Sequence, residues 1–310
     1  MAAHATVYVC NSRRTPHPFR AVAADARSVH PRKAATSMTY TTVHVPISGG
    51  DSAVDCLVTG SGPALVLVHG TGATPEGNWG PVIDALKDRY TLVAPTLSGS
   101  GSTTDAGGSL TVDDLVAQVL GAVDAAGLDT FHLAGHSLGA TVAAATAGAR
   151  PERIRSLFLH AGWAVTDPWQ EFQFDLWQRL LRVDKDLFSR ALQVTAFGAK
   201  TLAGRRIEDF EENVAACNAL FDADGMARQS ELNLRVDITE ELGRITAPTL
   251  VVSGTQDLIV PPHHQRELGA AIAGARFLEL DCGHALPFEQ PELFARTVTE
   301  FVEGQQTATS

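Results

Sequence analysis

Six short apolar runs recur along this chain from residue 64 onward, and each is followed by a longer segment of helical period. The first, Ala64-Leu65-Val66-Leu67-Val68, is continuous rather than alternating, as expected of a strand buried on both faces. Residues 90–94, 130–134, 156–160, 249–253 and 276–280 repeat that character. Helix patterns fill the intervals at 79–88, 112–126, 138–149, 262–273 and 291–302. Upstream, 40–47 and 54–59 alternate apolar and polar residues around Gly49-Gly50-Asp51 and read as an antiparallel hairpin. The pattern predicts an α/β fold: a mainly parallel sheet of eight strands with helices on both faces.

One stretch departs from it. Between 162 and 244 no strand run appears, only amphipathic patterns at 172–182, 186–197 and 207–221. The expectation is a helical cap over 162–244, laid across one end of the sheet. The sheet itself is then built from 38–161 and 245–304, with a tail at 305–310. The cap segment carries three of the four tryptophans, Trp163, Trp169 and Trp177.

Composition narrows the class. Hydrophobic residues make up 45% and charged residues 19%, and 24 basic against 35 acidic side chains leave a net charge of −11. That balance argues against nucleic acid or an anionic membrane as partner. No apolar run approaches the roughly 20 residues needed to span a bilayer. Cys10, Cys56, Cys217 and Cys282 are scattered without CxxC spacing, which fits reduced thiols in a cytoplasm and neither a disulfide framework nor a zinc site. The first 37 residues read as a disordered extension: Arg13, Arg14, Arg20, Arg27, Arg32 and Lys33 face a single acid, Asp25. Met38, just before the first strand pattern, is an alternative start of translation.

Chemistry concentrates in the loops after the strands. In an open α/β sheet, ligands bind beyond the carboxyl ends of the strands. There the pentapeptide Gly135-His136-Ser137-Leu138-Gly139 sits between a strand run and an alanine-rich helix pattern. A sharp turn at that junction lifts the Ser137 hydroxyl out of the backbone, and the flanking glycines leave room for it. A serine needs a base, and a base needs an orienting acid. His284, after 276–280, and Asp257, after 249–253, complete the chain order Ser, Asp, His. The Leu138 amide is one donor to a developing oxyanion and the Thr71 amide the second, with Gly72 as its fallback. Such a donor contributes about 3 kcal/mol to the transition state.

With these motifs in place, the chain resembles a serine hydrolase of the α/β-hydrolase fold superfamily. The resemblance runs from Tyr40 to about Gly304. It rests on His69-Gly70, on the elbow Gly135 to Gly139, on Gly254-x-x-Asp257-x-x-x-Pro261 and on Gly283-His284-x-x-x-x-Glu289-x-Pro291. It implies esterase- or lactonase-like acyl transfer to water, without a cofactor or metal, on a hydrophobic small molecule under the cap. Two alternatives share the same motifs: hydrolysis of a carbon–carbon bond in a β-diketone-like substrate, and a non-hydrolytic receptor or scaffold. Relatives that open epoxides or carbon–halogen bonds carry Asp at the elbow, so Ser137 argues against those reactions. The family's Pro-Asp-x-x-Gly-x-Gly-x-Ser loop is replaced here by Pro95-Thr96-Leu97-Ser98-Gly99-Ser100-Gly101-Ser102, a change that reshapes the pocket floor.

Other conspicuous residues receive structural expectations. His69 braces its turn, and His136 points away from the pocket. His263 and His264 are solvated at a helix start, with no carboxylate beside them to make a metal site. Asp167 is the rival acid to Asp257, and Glu289 packs at a helix start. Phe172, Leu176 and Leu180 form a buried helical stripe. Gly70, Gly72, Trp79, Trp163 and Trp169 are candidates to line the substrate pocket.

Overall fold

A computed structural model describes residues 39–306. The expected extension at 1–37, Met38 and residues 307–310 lie outside the described residues. The strands are β1 (Thr39–Ile47), β2 (Gly50–Gly60), β3 (Ala64–Val68), β4 (Thr91–Pro95), β5 (Phe131–His136), β6 (Ile154–His160), β7 (Thr249–Gly254) and β8 (Arg276–Leu280). They form one sheet in the order β1-β2-β4-β3-β5-β6-β7-β8. The pairs β1–β2 and β2–β4 are antiparallel, and every later pair is parallel.

The helices are α1 (Pro75–Leu86), α2 (Val112–Ala125), α3 (Leu138–Ala149), α4 (Pro168–Val183), α5 (Lys185–Ala196), α6 (Ala199–Ala203), α7 (Ile207–Leu220), α8 (Ala223–Asn233), α9 (Thr239–Leu242), α10 (Pro262–Ala271), α11 (Leu286–Glu289) and α12 (Pro291–Gln306). Because α12 runs through Gln306, the expected tail at 305–310 begins inside a helix. No helix among the described residues is long and apolar enough to cross a membrane.

The two-residue period of a strand divides the core. On β3, Leu65 and Leu67 pack with Trp79, Phe158 and Phe294 on the face covered by α1 and α12. Val66 and Val68 pack with Leu115, Val119 and Leu138 on the face covered by α2 and α3. Phe294 is the hub of the first layer, 5.3 Å from the Trp79 ring, 6.0 Å from Phe158 and 5.5 Å from His160. Burying a side chain of that size contributes about 3 kcal/mol. β8 departs from expectation. It is the last strand of the sheet among the described residues, and the successive Phe277 and Leu278, which point to opposite faces, both remain exposed on it.

Capping explains where the helices start. Thr111 and Asp114 form a reciprocal capping box on α2, and Asp114 also accepts from the amide and hydroxyl of Ser48. Asp167, Asp184 and Asp222 cap α4, α5 and α8, so three aspartates punctuate the segment between β6 and β7. That segment holds α4 to α9, and its only β contact among the described residues is the isolated bridge between Val165 and Asp237. On α4 the buried face carries Phe174, Trp177 and Leu181, whereas Phe172 and Leu176 are exposed. Of the expected stripe, Phe172 and Leu176 therefore face outward, and only Leu180 packs, partly buried, against the core.

Candidate active site

β5 ends at His136 and α3 begins at Leu138, leaving Ser137 alone in the turn with φ 56° and ψ −126°. A non-glycine residue at positive φ is strained and persists only where its surroundings over-determine it. Here the surroundings are backbone. A Cβ on Gly135 would lie 2.2 Å from the Gly139 oxygen, and one on Gly139 would lie 2.2 Å from the Val68 oxygen. The Ser137 amide donates to the His160 carbonyl at 2.9 Å, fixing the turn from the neighbouring strand.

Three side chains from distant loops meet at this turn. His284 Nε2 lies 2.9 Å from Ser137 Oγ, and His284 Nδ1 lies 2.9 Å from Asp257 Oδ2. Asp257 is held in turn: its Oδ1 accepts the Ile259 and Val260 amides at 2.8 Å, and its Oδ2 accepts Gln265 Nε2 at 3.1 Å. All three residues are buried. Asp167 stands elsewhere, accepting the Gln170 amide as the cap of α4.

The loop after β3 closes over Ser137. A Cβ on Gly70 would lie 2.9 Å from Ser137 Cβ, so only glycine permits this approach. The Gly70 amide donates to Asn78 Oδ1 and the Gly72 amide to Gln229 Oε1, both at 2.7 Å. Between them, the Thr71 amide donates to no acceptor among the described residues, and neither does the Leu138 amide. His69 braces the loop, with Nδ1 2.8 Å from the Gly70 oxygen and Nε2 accepting the Leu97 amide at 2.9 Å. Burial pushes its pKa down to about 4, so it is a neutral strut.

Two further imidazoles lie below the elbow. His136 and His160 stack with centroids 4.9 Å apart and share a 2.8 Å contact between their Nδ1 atoms. Burial lowers His160 to about 3 and drives His136 well below the ordinary range, an effect that neighbouring imidazoles reinforce. His136 was expected to point away from the pocket. Instead its ring lies 5.1 Å from that of His284, and it reaches the cavity wall.

A cavity of about 520 Å³ opens above Ser137 and His284, with Gly70 and Thr71 at its floor. The segment between β6 and β7 supplies the opposite wall through Trp177, Leu192, Phe197, Phe221 and Met226. The tryptophans expected there lie elsewhere. Trp79 is packed against Phe294 in the core, and Trp163 is buried against Phe174 with Nε1 donating to Thr166 Oγ1. Trp169 is exposed at the start of α4. Gly72 is not in the wall either; a Cβ there would lie 2.7 Å from Met226 Sδ.

Gln229 and Asn233 escaped the sequence reading. Gln229 Nε2 donates to the Ser98 oxygen and Ser100 Oγ while its Oε1 holds Gly72, and Asn233 Nδ2 donates to Thr71 Oγ1 at 3.0 Å. The altered 95–102 loop and the loop after β3 are thus both anchored on α8. Two amides at i and i+4 on one helix face were the available signal. The His263–His264 expectation also changes. His264 is buried with Nε2 3.2 Å from Asp167 Oδ2, so a carboxylate does neighbour the pair. Donor atoms of Asp167, His263 and His264 lie within 4.8 Å of one another, and none of the three lines the cavity.

Residues 63–291 match the family model described as alpha/beta hydrolase fold. The chain belongs to that family and is a hydrolase. It is 37% identical over 254 residues to pyrrolizixenacetamide deacetylase of Xenorhabdus hominickii, covering 82% of this chain and 96% of that one. Among solved structures it is similar to the enol-lactonase of Burkholderia xenovorans LB400, with a TM-score of 0.73, 26% identity and coverage of 86% and 100%. A thermophilic esterase of Thermogutta terrifontis shares the fold, with a TM-score of 0.76 at 23% identity over 86% of this chain and 99% of that one.

Proposed function

We propose that this hydrolase cleaves an ester, lactone or thioester of a hydrophobic small molecule through an acyl-enzyme on Ser137. The observation that carries the reading is the unbroken hydrogen-bonded chain Ser137 Oγ, His284, Asp257. Ser137 Oγ attacks the carbonyl carbon as its proton passes to His284 Nε2. Asp257 holds the imidazole in the tautomer that accepts at Nε2 and stabilises the imidazolium that forms. The Thr71 and Leu138 amides receive the oxyanion, which suits their lack of another acceptor. Collapse expels the alcohol or thiol, which leaves with the proton from Nε2. Water then gives its proton to Nε2 and attacks the acyl carbon, releasing the acid and restoring the serine. No step calls on a cofactor.

The segment between β6 and β7 acts as the cap, and its apolar wall selects hydrophobic substrates. A cytoplasmic setting suits the unpaired Cys56, Cys217 and Cys282. The likeness to a deacetylase favours a second reading, removal of an acetyl group from an amide by the same three residues. Turnover of p-nitrophenyl acetate against p-nitroacetanilide separates the two. The primary test is a serine-directed phosphonate together with Ser137→Ala. Stoichiometric labelling of Ser137 and a loss of at least roughly 10⁴-fold in kcat are expected. Undiminished turnover in Ser137→Ala would end the proposal.

A further inference from the structure

The cavity wall is apolar along Trp177, Leu192, Phe221, Met226, Ile259 and Phe288, and no carboxylate lines it. One arginine does. Arg205 stands in the turn between α6 and α7, on the cap side of a cavity whose floor holds Ser137. Its guanidinium carbon lies 3.8 Å from the Phe197 ring centroid and 5.6 Å from that of Phe210. Nη1 donates to Gln193 Oε1 at 3.1 Å, and the Arg205 amide is tied to the Leu202 oxygen. The planar group is therefore oriented, with most of its five N–H donors still uncommitted.

The nearby acids are engaged elsewhere. Glu289 gives one oxygen to the Gly283 amide and the other to the Gly198 amide and Thr201 hydroxyl. Asp209 pairs with Arg206. Among the described residues Arg205 has no ion pair. Partial burial lowers its pKa even though Glu289 and Asp209 act on it through space in the opposite sense, so the cost of holding this charge against aromatic neighbours is only partly offset. An oriented guanidinium facing an apolar cavity recovers that cost when a ligand brings a planar acceptor. The acidic surface, at −11 overall, does nothing to draw an anion in, so recognition has to be local.

We propose that Arg205 is a specificity-determining residue that binds a carboxylate on the substrate, so that the preferred substrate carries its scissile carbonyl at one end and an anionic group at the other. The inference rests on the reading of Ser137 as nucleophile. It narrows the hydrophobic substrate to an amphiphilic one: an apolar spacer along the Trp177 and Leu192 wall, bracketed by two polar ends. Gln193 acts through Arg205 as a positioning residue.

The test compares mono-p-nitrophenyl esters of dicarboxylic acids, from glutaric to suberic, with the matching esters that end in a carboxamide. In the wild type the carboxylate series is expected to win in kcat/KM by roughly 10- to 100-fold at the best spacer length, mostly through KM. Arg205→Gln should collapse that ratio to about one, and Arg205→Lys should keep part of it because a point charge replaces the fork. Equal kcat/KM for both series at every length in the wild type would overturn the proposal. So would a preference that survives Arg205→Gln, or a parallel loss on both series with the ratio intact, which marks a purely structural arginine. A second measurement removes the chemistry: Ser137→Ala protein is titrated calorimetrically with the dicarboxylate monoamides and with the diamides, with and without Arg205→Gln. Arg205-dependent selective binding without turnover of any ester sinks the serine hydrolase reading and leaves the subsite. Turnover without charge selectivity sinks the subsite and leaves the hydrolase.

Discussion

Glu289 Oε1 accepts the Gly283 amide at 2.7 Å, so a carboxylate grips the residue immediately before His284. Its other oxygen takes the Gly198 amide at 3.0 Å and the Thr201 hydroxyl at 2.7 Å. One side chain therefore joins the loop that presents the imidazole to the turn between α5 and α6. The neighbouring bond from the Ala285 amide to the Ala196 oxygen reinforces the same junction. Glu289 was expected only to pack at a helix start; its position in the α11 turn makes it a latch.

Glu289→Gln should expose that latch. The carboxamide turns an N–H₂ group toward one of two backbone donors, so at least one bond is lost and a donor is left unpaired. A destabilisation of about 1–3 kcal/mol is expected, with kcat down by roughly tenfold as the imidazole loses its alignment. Urea unfolding and steady-state kinetics on one ester check both. Unchanged kcat would mean that the His284 loop is held by other contacts.

Asp257 and Asp167 make opposite predictions. Asp257→Asn should lower kcat by roughly 10³- to 10⁴-fold, since the carboxamide no longer enforces the working tautomer of His284. Asp167→Ala removes the α4 cap at a cost of about 1 kcal/mol and should leave kcat alone. Kinetics of the two purified variants settle the matter. The reverse pattern would move the acid to Asp167.

The elbow glycines differ in what stands against them. A Cβ on Gly139 meets the Val68 and His69 carbonyl oxygens at 2.2 and 2.5 Å, and backbone cannot step aside. Gly139→Ala should yield insoluble protein. A Cβ on Gly70 meets Ser137 Cβ at 2.9 Å, so Gly70→Ala should fold but react slowly with the phosphonate. Soluble yield and labelling rate are the readouts, and a fully reactive Gly70→Ala would contradict the close approach.

Acid should unfold this protein early. The depressed values of His69, about 4, and His160, about 3, mean that both stay neutral when folded, while the unfolded chain binds protons from about 6.5 downward. The unfolded state then carries more protons, so stability is present above 6.5 and is lost as the pH falls toward 4. Each group contributes a slope of up to about 1.4 kcal/mol per pH unit. Urea melts across this range test it. A flat profile would mean that these imidazoles are protonated in the fold.

Much of this architecture was legible because local chemistry dictated it. Continuous β-branched runs announced the parallel strands, and Gly135 and Gly139 announced the turn that isolates Ser137. The chain order of Ser137, Asp257 and His284 reflects loops that leave the same edge of the sheet, where the structure brings the three together. What escaped depends on tertiary facings. Two apolar stripes run along α4, and nothing local says that Trp177 turns inward while Phe172 turns out. β8 reads as a buried strand, yet among the described residues it pairs on one side alone, with β7. α8 hid because it buries amides, Gln229 and Asn233, whose partners lie more than a hundred positions upstream. The carboxylate beside His264 likewise comes from another element, at Asp167.

The division of labour across the cavity has a practical corollary. Ser137 and His284 sit on a floor where Gly70 and Gly139 leave no free space for a Cβ, whereas α5, α7 and the residues that end them furnish an upper wall of ordinary packing residues. On the proposed function, libraries that randomise Leu192, Phe197 or Phe221 should retune which molecules are accepted and leave Ser137, His284 and Asp257 untouched. Laboratory evolution of this scaffold belongs in α5 and at the C-terminal caps of α5 and α7.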